Sequence, residues 1–171
     1  MATVGAKSAK SDILAEANRQ KREEILELLK KAYWMEIETV MNYIANSVNP
    51  DGVRAQEITE ALQQDIQQEL GHAQQFARRI KELYGVVPGS MGFRPEQVGL
   101  QPPANQTDVV HVIKGVIEAE NAAIDFYSRI IEAANEVDWV TQDMVIDILR
   151  DEQAHRRLFE GFLREYEGGI G

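Results

Sequence analysis

Cysteine is absent from the 171 residues of the chain. The sequence therefore excludes a disulfide framework, a thiolate metal site and a cysteine nucleophile, and it fits a reducing compartment. Long apolar runs are also missing, since no stretch approaches the roughly 18 residues that a membrane span requires. The opening residues, MATVGAKSAKSD, lack the apolar segment of a secretory signal. We expect a cytoplasmic protein with no membrane partner.

Positive charge is scarce, because 18 Lys and Arg residues stand against 28 Asp and Glu residues, for a net charge of -10. A general nucleic-acid binder needs a basic face against the phosphates, so this class of partner is disfavoured. An acidic surface fits both mere solubility and attraction of cations.

Apolar residues recur at helical spacing through four long segments, and no stretch shows sustained two-residue alternation. The sequence therefore predicts an all-α fold in one domain. We divide the chain into a tail or helix extension (1–18), a four-helix domain (19–166) and a second tail (167–171). The predicted helices run from about Asp12 or Arg19 to Ser47, from about Val53 to Tyr84, from Thr107 or Asp108 to about Asn135, and from about Val140 to Tyr166.

Two of the three connections between these helices are short. NPDG (49–52) and NEVD (135–138) predict antiparallel hairpins. Residues 85–107 contain Gly, Pro and Gln without helical periodicity. Such a segment can reach at most about 76 Å, which is enough to run the length of a bundle of about 45 Å. The pattern predicts a four-helix bundle with one long crossover between helices two and three.

Two Glu-x-x-His pairs stand on helix faces that should be buried: Glu69 with His72, in QELGHA, and Glu152 with His155, in DEQAH. Residues three apart share a helix face, so each pair presents an acid beside an imidazole. One such pair is a weak signal, and two are moderately informative. An ionised carboxylate in a core costs several kcal/mol unless it is paired or bound to metal, so the other helices should supply partners.

The buried stripes of the first and third helices select these partners. The first stripe passes through Glu36 rather than Glu38, and the third through Glu120 rather than Glu118. The midpoint in sequence between Glu36 and Glu69 falls within a residue or two of the turn NPDG. The midpoint between Glu120 and Glu152 falls inside the turn NEVD. Since residues equidistant from a turn lie at the same level, four carboxylates and two imidazoles should converge halfway along the bundle.

Such a cluster has the composition of a site for two divalent cations, whose charge would neutralise four carboxylates. Oxygen-rich ligands with one nitrogen per ion suit iron or manganese better than zinc. Two ions about 3.5 to 4 Å apart need bridging carboxylates, and Glu69 and Glu152 are the natural bridges. Glu36 and Glu120 would then be terminal ligands. The alternative is an ordinary polar core, in which hydrogen bonds satisfy each buried group.

Three more residues lie on or near these stripes. Tyr43 and Tyr127 stand two turns beyond the selected acids of the first and third helices. There a phenol could hydrogen-bond a ligand or donate an electron, although core packing explains both residues equally well. Asp65 lies one turn before Glu69. Its carboxylate could support the metal ligands or serve as a step in the path of incoming iron, but we expect it to be solvated. His111 is predicted at the surface.

The arrangement resembles the ferritin-like di-iron carboxylate superfamily, and it is most similar to bacterioferritins over about residues 25–165. EIETVMNY (36–43) resembles that family's Glu followed by Tyr seven residues later. ELGHAQQFARRIKELYGVVP (69–88) resembles its second helix, and DMVIDILRDEQAH (143–155) its fourth. The resemblance implies ferroxidase chemistry in which dioxygen or peroxide oxidises two Fe(II) ions, with the ferric product stored in a hollow homo-oligomer. The implied ligands are Glu36, Glu69, His72, Glu120, Glu152 and His155.

Several features separate the chain from members of this superfamily. Bacterioferritins bind a haem through a Met directly after the ligand Glu of the second helix; Leu70 stands there, so no haem is expected. About 16 residues follow His155, too few for the fifth helix that lines ferritin pores; a dimer, a mini-ferritin-like dodecamer and a 24-subunit shell all stay open. Lys7 and Lys10 make a poor basic tail for DNA, and the absence of cysteine excludes the iron domain of rubrerythrins.

Two other functions compete with a ferroxidase. The metal pair could serve an Fe or Mn oxidase, an oxygenase or a manganese catalase-like enzyme without mineral storage. That function would require a substrate channel, or an assembly that encloses no cavity. A non-enzymatic interaction module with an ordinary polar core would hold no metal.

Overall fold

Four long helices make up the computed structural model, which describes residues 12–168. α1 spans Arg19–Val48, α2 Gln56–Glu82, α3 Val109–Ala134 and α4 Trp139–Glu167. Short 3-10 turns lie at Glu16–Asn18, Val53–Ala55, Ser90–Gly92 and Val98–Leu100, and no strand occurs within 12–168. The all-α prediction is confirmed. Residues 1–11 of the predicted N-terminal tail and 169–171 of the C-terminal tail lie outside the described residues.

Two hydrophobic clusters fix the directions of the helices. The first cluster unites the N-terminal halves of α1 and α4 with the C-terminal halves of α2 and α3, and the second unites the opposite halves. α1 and α4 therefore run parallel to each other and antiparallel to α2 and α3, which confirms the predicted bundle with its crossover. The main members are Ile25, Leu29, Phe76, Ile80, Ile130 and Ile148 in the first cluster, and Ile58, Leu62, Ile113, Val116 and Phe159 in the second.

Between these clusters lies a layer of polar side chains, halfway along the bundle. No helix within residues 12–168 combines the length and apolar character needed to cross a membrane.

The crossover covers the groove between α1 and α3. Glu38 on α1 accepts hydrogen bonds from the backbone N–H groups of Glu96 at 2.7 Å and Gln97 at 2.8 Å. Nδ2 of Asn46 donates to the backbone oxygen of Leu100 at 2.8 Å. Buried polar groups of α1 thus satisfy the irregular backbone of the crossover.

This cover explains why burial on α1 departs from the apolar pattern. Ile44, one of the apolar residues that define the predicted helix, is 49% exposed. Glu38 and Asn46 are buried instead, because the crossover lies over them. Helical periodicity identifies the face that meets the other helices, but it carries no information about a face that a distant loop will cover.

The backbones of α3 and the crossover approach each other closely at Gly115. A Cβ at this position would lie 2.4 Å from the backbone oxygen of Gly99. Gly115→Ala is expected to destabilise the fold by about 1 to 3 kcal/mol, since the backbone must move to relieve the overlap. Gly71→Ala is the matched control: nothing lies within 4 Å of its Cβ position, and it should stabilise by about 1 kcal/mol through helix propensity. Urea unfolding measures both changes; shifts of the same sign would contradict the close approach.

Arg79, near the C-terminal end of α2, is buried against the turn between α3 and α4. Its guanidinium donates to Oδ1 of Asp138 at 2.7 Å and to Oγ1 of Thr141 at 2.8 Å. Asp138 also caps α4, by accepting from the backbone N–H of Thr141 at 3.0 Å. The contact ties one hairpin to the turn of the other.

Asp138→Ala is expected to lower the free energy of unfolding by about 3 kcal/mol, because it leaves the exposed Glu82 as the one ionic partner of the buried Arg79 guanidinium within residues 12–168. Asp108→Ala is the control, since Asp108 caps α3 by accepting from the N–H of His111 at 3.0 Å and has no buried ion pair. Loss of that cap should cost about 1 kcal/mol. Denaturant titrations compare the two, and equal losses would show that the ion pair contributes nothing beyond the cap.

Candidate metal centre

Six side chains from all four helices fill the polar layer between the two hydrophobic clusters. α1 and α3 each contribute one Glu, whereas α2 and α4 each contribute a Glu and a His. None of the six is more than 6% exposed, and Glu118, rejected from its helical phase, is exposed. The structure thus brings together all six residues selected from the sequence: Glu36, Glu69, His72, Glu120, Glu152 and His155.

The six residues form two overlapping groups of possible metal ligands. Within each group, one ligand atom per residue lies within 4.8 Å of all the others. Glu69 and Glu152 belong to both groups. Each group is completed by one further Glu and one His: Glu36 and His72 in the first, Glu120 and His155 in the second.

Both imidazoles turn Nδ1 toward the shared acids. Nδ1 of His72 lies 3.3 Å from Oε2 of Glu69 and 3.2 Å from Oε1 of Glu152. Nδ1 of His155 lies 3.0 Å from Oε1 of Glu69 and 3.4 Å from Oε2 of Glu152. Each carboxylate therefore presents one oxygen to each imidazole, and a two-fold pseudosymmetry relates the two halves of the cluster.

The same pseudosymmetry relates the two buried tyrosines. The phenol of Tyr43, on α1, donates to Oε1 of Glu120 on α3 at 2.6 Å. The phenol of Tyr127, on α3, donates to Oε1 of Glu36 on α1. Both rings are fully buried. Of the roles considered for the tyrosines, the contacts support the hydrogen bond to a carboxylate, and each bond crosses to the neighbouring helix.

Protons balance the charge of the cluster in the metal-free protein. Burial alone would lower the pKa of His72, but the nearby carboxylate of Glu152 and a hydrogen bond to Glu69 raise it to about 10. Burial likewise opposes ionisation of His155, whose pKa is nevertheless raised by the nearby carboxylates of Glu120, Glu152 and Glu69. Both imidazoles are therefore protonated on both nitrogens, and so positively charged, at neutral pH.

The acids respond to burial in different ways. Burial raises the pKa of Glu36 and of Glu120 well above the usual range, and the neighbouring carboxylates reinforce the shift. Burial also acts to raise the pKa of Glu69, but the adjacent imidazoles of His155 and His72 hold it at about 2. The metal-free cluster therefore stores protons on its terminal acids and its imidazoles.

Several of these buried atoms lack a hydrogen-bond partner. Oε1 of Glu69, both carboxylate oxygens of Glu152 and Nδ1 of His155 have none among residues 12–168. The short distance between Nδ1 of His155 and Glu69 lacks hydrogen-bond geometry. Buried polar atoms are nearly always satisfied, so unpartnered oxygen and nitrogen atoms that converge on one point fit a cation. The donor set, rich in carboxylates with one imidazole per group, fits iron or manganese.

Asp65 corrects the sequence-based expectation of a solvated residue. It is only 8% exposed, and its Oδ1 lies 3.6 Å from Nε2 of His155. Burial raises the pKa of its carboxyl to about 6. The apolar pattern of α2 could not reveal this, because α4 provides the cover. His111 lies at the surface as predicted, with Nε2 2.9 Å from the backbone oxygen of Gln101.

Two residues beside the cluster escaped the sequence analysis. Nε2 of His72 lies 3.1 Å from Oδ2 of Asp151, and Nε2 of His155 lies 3.1 Å from Oε1 of Gln68. Each partner directly precedes the shared acid of its own helix. Neither lies on an apolar stripe, and only the antiparallel alignment of α2 with α4 brings it to the opposite imidazole.

The fold and the cluster together define a ferritin-like protein. The family model for the ferritin-like domain matches residues 26–168, and the chain belongs to this family.

Individual relatives agree with this membership. The chain is 28% identical over 145 residues to a bacterioferritin of Desulfovibrio desulfuricans, covering 84% of this chain and 76% of that one. It is 26% identical over 143 residues to a DNA protection during starvation protein of Pyrococcus furiosus, covering 82% and 77%. Its fold matches a dodecameric thioferritin, the bacterioferritin-related protein of Bacteroides fragilis, with a TM-score of 0.75 at 23% identity over 96% of this chain and 99% of that one.

Proposed function

We propose that the protein is a ferroxidase that binds two Fe(II) ions as substrate in the polar layer and oxidises them with dioxygen or peroxide. The ligands would be the six residues of the cluster, with Glu69 and Glu152 shared by both ions. One observation carries the proposal: the two ligand groups overlap through these two acids. Within residues 12–168, three of their four oxygens have no hydrogen-bond partner, which a bundle that needed only a satisfied polar core would not leave.

Two bound ferrous ions supply two electrons on oxidation to the ferric state, which reduce dioxygen with two protons to hydrogen peroxide, or hydrogen peroxide with two protons to two waters. The chain provides the setting for this chemistry. The phenols of Tyr43 and Tyr127 orient the terminal acids. The hydrophobic clusters border the polar layer above and below.

The space beside the cluster favours a small oxidant over an organic substrate. A cavity of about 10 Å³ adjoins the acids and is bordered by Thr39, Ala119 and Ala123, on α1 and α3. This is about the space that one water molecule requires. A larger cavity of about 130 Å³, under the crossover, shares Ala119 with it and includes the acidic Glu38 and Glu118. Fe(II) and dioxygen would fit such a path, whereas an organic substrate would need the helices to separate.

We further propose that the protein works as a homo-oligomer that stores or detoxifies the ferric product. One structural neighbour is a dodecamer. On α1, Met41, Ile44 and Val48 form an exposed apolar row, at 57%, 49% and 73% exposure. A contiguous apolar row on a helix surface is typical of a protein interface.

Anaerobic titration with Fe(II), followed by exposure to air, tests the function. We expect two Fe(II) ions per chain to bind before oxidation, and light scattering with iron analysis to show a shell that retains far more than two irons per chain. Asp125→Ala serves as the control, since its side chain lies on the exposed face of α3, away from both cavities.

Two outcomes would contradict parts of this proposal. A small oligomer that keeps only two ions would rule out storage and favour a di-metal oxidase, oxygenase or manganese catalase-like enzyme. Absence of metal at the cluster under metal-replete conditions would rule out the ferroxidase itself and favour the interaction module.

A further inference from the structure

The two halves of the cluster differ in the residues that contact Nε2, the outer nitrogen, of each imidazole. Because Nδ1 of each imidazole faces the shared acids, Nε2 points away from them and needs its own acceptor. Asp151 provides it for His72 and Gln68 for His155, each at 3.1 Å. The two acceptors occupy equivalent places, each directly before a shared acid, but one is a carboxylate and the other an amide.

This difference changes the imidazole as a ligand. A carboxylate that accepts the outer N–H fixes the ring orientation and makes the inner nitrogen a stronger donor to a metal. A hydrogen bond to a charged acceptor is roughly twice as strong as one to a neutral amide oxygen. The His72 ring should therefore be held more firmly, and bind a cation more tightly, than the His155 ring.

We propose that Asp151 and Gln68 are positioning residues that make the two metal positions unequal, so that the first Fe(II) ion occupies the His72 position and the second, weaker ion occupies the His155 position. The inference rests on the proposed function, because it presupposes that the cluster binds Fe(II). It assigns different roles to the two metal positions, because the His72 position retains its ion and the His155 position releases its ion more readily.

Asp65 does not restore the symmetry. Its Oδ1 lies 3.6 Å from Nε2 of His155, beyond the distance of a hydrogen bond. Oε1 of Gln68 takes the place of the acceptor at 3.1 Å. Asp65 adds a charge near the ring but does not orient it. Asp151, with its side chain 41% exposed, can be replaced without opening the core.

Metal occupancy at limiting Fe(II) tests this inference without an activity assay. Crystals prepared anaerobically with one Fe(II) per chain are measured by anomalous scattering at the iron edge. We expect occupancy at the His72 position to exceed that at the His155 position by about 10-fold, because substitution of such an outer partner typically changes metal affinity by 10- to 100-fold and Gln68 stands where the other half has a carboxylate.

Three variants separate positioning from a general effect of charge. Asp151→Asn should bring the occupancy ratio close to one, and Gln68→Glu should do so by strengthening the other position. The double variant should reverse the preference, which a merely structural role would not do. Asp147→Asn is the control: it makes the same substitution one turn earlier on α4, where the carboxylate pairs with Arg150 on the surface, and it should leave the ratio unchanged.

Equal occupancy in the unaltered protein would overturn the inference while leaving the proposed function intact. An Asp151→Asn ratio equal to that of Asp147→Asn would overturn it as well. If neither position took up iron in the unaltered protein, the proposed function itself would fail.

Discussion

Glu69→Gln is expected to empty both metal positions and to slow Fe(II) oxidation by about 100-fold or more. Glu69 belongs to both ligand groups, so its loss removes an oxygen ligand from each ion at once. The amide keeps the volume of the side chain, so the helices should still pack around it. Anaerobic Fe(II) binding and the rate of ferric product formation on addition of dioxygen measure the two effects.

Substitutions on α3 supply the matched comparison. Glu120→Ala should remove one metal position and leave the other, because Glu120 belongs to only one group. Glu118→Ala, two residues earlier on the exposed face, should remove neither. If Glu118→Ala and Glu120→Ala lost metal equally, the assignment of Glu120 as a ligand would be wrong.

Binding of two Fe(II) ions at pH 7 is expected to release about four protons per chain. The raised pKa values of His72, His155, Glu36 and Glu120 mean that each carries a proton in the metal-free protein. Each must lose it to become a ligand. The overall binding constant should therefore fall as pH falls, by about four orders of magnitude per pH unit near neutrality.

Calorimetry in buffers of different ionisation enthalpy counts these protons directly. Release of two or fewer would show that the imidazoles or the terminal acids are already deprotonated in the metal-free protein. The Glu118→Ala variant should release the same number as the unaltered chain, since its side chain lies outside the polar layer.

Helical periodicity and hairpin symmetry predicted the bundle and the convergence of the six residues. Both rest on local geometry, because an acid at a fixed distance from a turn meets its counterpart wherever the two helices are antiparallel. Contacts that depend on a distant segment were beyond such reasoning. Glu38 is buried by the crossover, Asp65 by α4, and Arg79 by the turn of the other hairpin.

The same limit explains why the partners of the imidazoles went unnoticed. Asp151 and Gln68 look like surface residues on their own helices, and only the packing of α2 against α4 gives each of them an imidazole. The sequence shows that the cluster has two similar halves. The inequality between the halves requires the three-dimensional arrangement.

The crossed phenol contacts also prevent axial slip of α1 along α3. Side chains on a helix lean toward its N-terminus, so each tyrosine reaches back over about two turns toward the polar layer, and the two come from opposite ends because the helices are antiparallel. Sliding α1 one way would lengthen both contacts, from Tyr43 to Glu120 and from Tyr127 to Glu36, and sliding it the other way would compress both. Two groups outside the proposed ligand set thereby reinforce each other in holding Glu36 and Glu120, on different helices, at the same level.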